Sequence, residues 1–240
     1  MFKNRKVDDI KNLFATSLEK NQAVFMYLEY SGVIVRTSNR TILVDPANLL
    51  NKVEIKAMKR VDLLLFTHSH GDHYSSKDTL DIFKVADSPI IAEPLVADDL
   101  VGKIPSDKLT DAKPGKTYTF SDITVRVVSG IHGCPINLYH LQIGDIGIFH
   151  AGDSGYVPVK DYPADLAFLP TGILRPFIPS SSPENAFKLA SELKPSVAVA
   201  IHGSAGHSEE FKSKVEEELP NTTVIIPESY LPKKVSLQIT

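Results

Sequence analysis

Residues 61–73 read Val-Asp-Leu-Leu-Leu-Phe-Thr-His-Ser-His-Gly-Asp-His, an apolar run that breaks abruptly into three histidines and an aspartate. A run this short, bounded by a polar loop containing glycine, reads as a buried strand. The polar side chains then sit at the strand's carboxyl end, where a loop can turn them into a cleft. In extended backbone, residues two apart point to the same side, so His68 and His70 can reach one cation. Asp72 and His73 follow the bend at Gly71 and can face a second cation. Neutral imidazoles with a carboxylate suit zinc, iron or manganese better than calcium or magnesium.

The rest of the chain is compatible with a soluble carrier for such a loop. Its 240 residues are enough for one domain with a sizeable core, spanning 1–240. The net charge of −3 gives no pull toward nucleic acid or an anionic membrane, and Lys233-Lys234 is too short a cluster to change that. One cysteine, Cys134, excludes an internal disulfide and fits a reducing compartment. No stretch is apolar for long enough to span a bilayer, and the N-terminus lacks a signal-type core, so a cytoplasmic location is expected.

Along the chain, Val7, Ile10, Phe14 and Leu18 recur at helical spacing and predict an extra N-terminal helix within residues 1–20, from Asp8 to Lys20. Three β-rich segments follow, 24–30, 32–36 and 41–45, the last ending in Asp45-Pro46. A helix is expected over 75–86, a strand over 89–93, a helix over 94–101, and a hairpin arm over 123–128. That arm runs into Ser129-Gly130-Ile131-His132-Gly133-Cys134-Pro135, where Cys134 reads as a small buried residue. A second hairpin across Gly144-Asp145 leads to His150-Ala151-Gly152-Asp153-Ser154-Gly155. His140 and His150 fall inside strand patterns and read as ordinary strand residues. An apolar strand over 164–169, a helix over 183–194, a strand over 196–201 ending in His202-Gly203, and a helix from Ser208 follow. Two β-segments, 222–226 and 234–239, close the chain. The loosely repeated βα pattern suits two sheets with helices outside.

His-x-His-x-Asp-His after a hydrophobic strand resembles the signature of the metallo-β-lactamase superfamily, and the resemblance extends from about Ala23 onward. It implies an α/β (α+β) fold, a four-layer αββα sandwich of two mixed sheets. By the same resemblance His68, His70 and His132 hold one divalent metal, Asp72, His73 and His202 hold a second, and Asp153 bridges the two. Asp45 corresponds to the aspartate that supports the metal loop without ligating. Two divalent ions are implied, zinc first and manganese or iron as alternatives, with a shared hydroxide as nucleophile and Asp72 as the catalytic group that moves a proton.

The Pro-Thr-Gly loop, the helix from Pro183 and the strand ending in His202 resemble the branch containing ascorbate-6-phosphate lactonase. Tyr27-Leu28-Glu29-Tyr30-Ser31-Gly32 aligns with that branch's Trp-Leu-Gly-His-Ser-Gly, with Tyr30 in place of its histidine. Arg175 and His207, with Tyr30, are the candidate substrate-binding residues, Arg175 for an anionic group. The expected partner is a small-molecule lactone or ester. Nucleic acid and membrane are not expected, and a homo-oligomer is compatible with the chain. A nuclease of the superfamily would carry a basic surface or an added domain. A di-iron oxidoreductase would replace the second signature histidine with glutamate, and a non-catalytic scaffold would have lost ligands.

Overall fold

The computed structural model describes residues 2–172 and 181–239, and the chain divides into two compact units. The first comprises Met1–Ala112 with Glu228–Ser236, the second Lys113–Pro227 with Leu237–Thr240. The first holds α1 (Phe2–Ala15), β1 (Gln22–Glu29), β2 (Gly32–Arg36), β3 (Thr41–Val44), α2 (Lys52–Ala57) and β4 (Leu63–Phe66). It continues with α3 (Ser76–Ala86), β5 (Ile90–Ala92), α4 (Pro94–Leu100) and β6 (Leu109–Asp111). The second holds β7 (Thr117–Phe120), β8 (Ile123–Ser129), β9 (Asn137–Ile143), β10 (Ile146–His150), β11 (Leu166–Gly172), α5 (Pro183–Leu193), β12 (Val197–Gly203), α6 (Ala205–Glu218) and β13 (Thr223–Ile225). The last strand, β14 (Pro232–Ser236), returns to the first unit.

Each unit is built on a seven-stranded mixed sheet of the same design. In the first the order is β14-β1-β2-β3-β4-β5-β6, antiparallel as far as β3 and parallel from β3 to β6. In the second it is β13-β12-β11-β10-β9-β8-β7, parallel from β13 to β10 and antiparallel beyond. The parallel strands β4, β5 and β11 are buried at every residue. Burial on both faces explains why they read as unbroken apolar runs rather than alternations. One face of the first sheet packs Val24, Met26, Leu28, Leu43, Leu64 and Phe66 with Ile10 and Leu13 of α1 and Ile82 of α3. In the second unit, Phe149, Ala167, Leu169, Ala198 and Ala200 pack with Ala186, Leu189 and Leu193 of α5 and with Phe211 and Val215 of α6.

The helices start where the sequence carries oxygen-bearing caps. Ser75, Ser182 and Ser204 accept from the third backbone N–H beyond themselves, and Pro94 and Pro183 occupy first helical positions where no N–H is needed. Both sheets follow the expectation of two mixed sheets with helices.

Several boundaries differ from the sequence reading. The N-terminal helix spans 2–15 rather than 8–20. At its end the Arg36 guanidinium donates to the carbonyls of Leu13 and Thr16, satisfying acceptors that the last turn leaves open. The short α2 and β6 were not expected, although α2 carries a full capping box in Asn51 and Glu54. The final strand pairs at 232–236, set by its antiparallel register against β1, with Gln22 opposite Ser236.

Candidate metal centre

In open sheets, binding groups collect beyond the carboxyl ends of parallel strands, and both units place metal-type residues there, although His132 follows β8, which is antiparallel to both its neighbours. In the first unit Asp45 directly follows β3, and Thr67-His68 directly follow β4. Asp45 is fully buried and sits in the left-handed region (φ +45°), which aspartate tolerates better than most residues. Its Oδ1 accepts the Thr67 backbone N–H at 2.8 Å, and its Oδ2 accepts the Thr67 hydroxyl at 2.5 Å. The same Oδ2 lies 2.9 Å from His73 Nδ1. A carboxylate only accepts, so His73 Nδ1 carries the proton and its Nε2 keeps a lone pair.

The Thr67 hydroxyl has a single proton and gives it to Asp45. Its contact with His68 Nδ1, at 3.0 Å, is therefore one in which the imidazole donates. His68 is thereby fixed in the same tautomer as His73, with the lone pair on Nε2. One buried carboxylate orients two imidazoles, one directly and one through a hydroxyl, which is the arrangement expected behind metal-bound histidines. Asp45, His68 and His73 do form a compact ligand-type trio. Both Asp45 oxygens are nevertheless engaged by donors, so it supports the site from behind.

The donor set fits a cation. His68 Nε2 and His70 Nδ1 are 3.1 Å apart. Two nitrogens held tetrahedrally by zinc are separated by about 3.3 Å. The backbone N–H groups of His73 and Tyr74 both bond to the His70 carbonyl, at 3.0 and 2.9 Å, so the loop turns back on itself after His70. That turn places the Asp72 carboxylate, 37% exposed, 3.8 Å from the Nε2 of the fully buried His73.

In the second unit, His202 is the penultimate residue of β12 and lies in the left-handed region (φ +46°), with Nε2 3.1 Å from Asp153 Oδ2. Asp153 lies in the turn after β10, where His150 Nδ1 accepts the Gly152 N–H at 3.1 Å and the Ala151 N–H bonds to Phe168 on β11. The buried Ser154 hydroxyl accepts from the Ile131 N–H at 2.8 Å and donates to the Gly155 carbonyl, while the Gly155 N–H bonds to the Ile131 carbonyl. The loop carrying His132 is thus bound to the loop carrying Asp153. Two glycines are required by close approach. A Cβ at Gly130 would meet Leu138, Ile136 and Ser154 within 2.8 Å, and one at Gly203 would meet Thr171 Oγ1 at 1.9 Å.

Residues 40–203 match the family model of the beta-lactamase superfamily domain. The chain belongs to this superfamily. A superfamily relative in Thermoplasma acidophilum, named as a UPF0173 metal-dependent hydrolase, is 29% identical over 215 residues, covering 81% of this chain and 91% of that protein. Among solved structures, Igni18, a novel metallo hydrolase from Ignicoccus hospitalis, superimposes with a TM-score of 0.76 at 20% identity, over 90% of this chain and all of that one. The metallo-β-lactamase fold protein YhfI of Bacillus subtilis does so with a TM-score of 0.70 at 14% identity, over 90% of this chain and all of that one. The fold is that of the superfamily, and the chain sits among proteins named as metal-dependent hydrolases.

The residues read as substrate-binding are placed differently. Tyr30 lies in the β1–β2 turn, 44% exposed with φ +51°. His207 is in the first turn of α6, its Nδ1 donating to the Gly172 carbonyl at 2.6 Å. Arg175 lies outside the described residues. Thr67, His150 and Ser154 carry roles that the sequence reading missed. Thr67 had a signal, a hydroxyl immediately before the first histidine of the motif. His150 was read as an ordinary strand histidine, but its ring caps the turn that presents Asp153. Cys134, expected to be a small buried residue, is only half-buried, with its Sγ within 4.8 Å of a ligand atom of His132.

Proposed function

We propose that this chain is a binuclear metal-dependent hydrolase acting on a small lactone or ester, in the manner its superfamily membership implies. The observation that carries the reading is the Asp45 carboxylate holding His68 and His73 with Nε2 presented, beside a His68–His70 nitrogen pair at ligand spacing. Superfamily motif order supports His68, His70 and His132 on one metal, and Asp72, His73 and His202 on the other, with Asp153 between. Zinc suits this donor set best, with manganese and iron as alternatives. When bound, two such cations lower the pKa of a shared water and polarise the substrate oxygen.

The chain's own residues then have defined tasks. Asp45 and Thr67 fix which nitrogen of two imidazoles carries the proton and aim both rings. His150 and Ser154 hold the turn that presents Asp153. Asp72, the more exposed carboxylate, takes up a proton during attack and returns it to the leaving group. His207, Arg175 and Tyr30 are assigned to substrate, Arg175 to an anionic group. The compartment proposed is the cytoplasm, and among the described residues no helix is long and apolar enough to cross a membrane.

The test is elemental analysis of protein purified without added metal, with a panel of lactones, esters and phosphodiesters. Two equivalents of metal, with lactone or ester turnover abolished by a chelator, are expected. Turnover of phosphodiesters alone would move the chain to the superfamily's phosphodiesterases. Metal-free protein that cannot be reconstituted would leave a non-catalytic scaffold.

A further inference from the structure

We propose that Tyr74 is a positioning residue of the metal loop, and that Asp99 and Lys103, acting through its hydroxyl, set how firmly Asp72 and His73 are presented. The inference rests on the binuclear reading above and gives a task to three residues outside the ligand order. Tyr74 directly follows His73, and its backbone N–H bonds to the His70 carbonyl at 2.9 Å. Its ring stands edge-on to Phe66, the fully buried last residue of β4, with centroids 5.2 Å apart and planes at 84°. The loop that leaves β4 at Phe66 therefore comes back to the same residue at Tyr74. This edge-to-face contact holds the far end of the loop against the strand it came from.

The hydroxyl adds a second anchor. It donates to Asp99 Oδ2 on α4, while Asp99 Oδ1 accepts from Lys103 Nζ at 2.8 Å. Lys103 Nζ also donates to the hydroxyl of Ser76, the first residue of α3, at 3.1 Å. One network thus ties the loop, the start of α3 and the end of α4 together within the first unit. Lys103 first, and then Tyr74, hold the Asp99 carboxyl below the usual carboxylate range, so it stays an ionised acceptor. The Asp99–Lys103 pair is partly exposed and worth little by itself. Its effect comes from where it acts, on the residue next to His73. A loop that samples other conformations binds a cation more weakly by the fraction of time it is misplaced. Losing one hydrogen bond of ordinary net strength changes that fraction by about 2–10-fold.

The experiment compares the full chain with Tyr74→Phe, which keeps the ring and loses the donor, with Asp99→Ala, which loses the acceptor, and with the double variant. Two quantities are read: amide hydrogen exchange in the chelator-stripped protein, and zinc affinity in competition with a chromophoric chelator. Each single variant is expected to speed exchange at the His73 and Tyr74 amides and to weaken zinc binding by about 2–10-fold. The double variant should be no worse than either single one, because both remove the same bond. Asp99→Asn, which keeps an acceptor oxygen, should recover most of the affinity. Equal zinc affinity in wild type and Tyr74→Phe would overturn the proposal while leaving the binuclear reading intact. Losses that simply add in the double variant would also overturn it, since the two residues would then act separately. A wild type that takes up no zinc would overturn both.

Discussion

Asp45 Oδ2 accepts the Nδ1 proton of His73 at 2.9 Å, with both side chains fully buried. The same oxygen takes the Thr67 hydroxyl, so one atom sets the protonation pattern of two histidines twenty-three and twenty-eight residues further along the chain. Removing it should release both rings. Asp45→Ala is expected to weaken metal binding by about 10–100-fold. Losing a buried charged acceptor should also cost about 3 kcal/mol of stability. Metal titration against a competing chelator, together with urea unfolding, checks both. Wild-type affinity in a folded variant would show that the histidines need no support from this carboxylate.

Ser154 joins two loops through its hydroxyl, and Ser154→Ala leaves the Ile131 N–H without its acceptor. The expected loss is about 1–3 kcal/mol in chemical denaturation. Metal affinity should fall as well, because the His132 loop then moves relative to Asp153. A stability loss without any change in affinity would confine the serine to a packing role.

His140 gives a pH prediction. Its ring is buried, with Nε2 2.8 Å from the Pro163 carbonyl, and its Nδ1 has no hydrogen-bond partner. Burial holds its pKa below the usual 6.5, with the positive charge of Arg126 acting in the same direction against the opposing Pro163 bond. The unfolded chain therefore takes up this proton first as pH falls. Stability is present above about pH 6.5 and is lost as pH drops toward the lower native value. His140→Gln should flatten the decline in unfolding free energy between about pH 7 and 5. Identical slopes for variant and wild type would contradict this.

Two glycines next to proposed ligands should respond in opposite ways. A Cβ at Gly71 meets nothing within 4 Å, so Gly71→Ala is expected to stay within about 0.5 kcal/mol of wild type. A Cβ at Gly203 would collide with Thr171 Oγ1, and Gly203→Ala should cost about 1–3 kcal/mol. Thermal melts of the pair decide it.

The residues that could bind metal were legible from the chain because chemistry and local geometry coincide there. An apolar run marks a strand, the loop after it can only be at the strand's end, and the spacing of His68, His70, Asp72 and His73 is a local property. Helix starts at Ser75 and Ser182 were local as well, since a cap bonds within three residues of itself, whereas the last helix, read from Ser208, starts earlier with Ser204 as its cap. What tertiary structure decided was every relationship between backbone segments far apart in sequence. The last carbonyls of α1 are satisfied by Arg36, at the end of the second strand beyond it. The position of β14 depends on a partner strand about two hundred residues earlier. The tasks of Thr67 and Ser154 depend on atoms of Asp45 and Ile131 that the fold brings alongside. Propensity and periodicity describe one segment at a time. A hydrogen bond between two loops belongs to neither until both strands beneath them have paired.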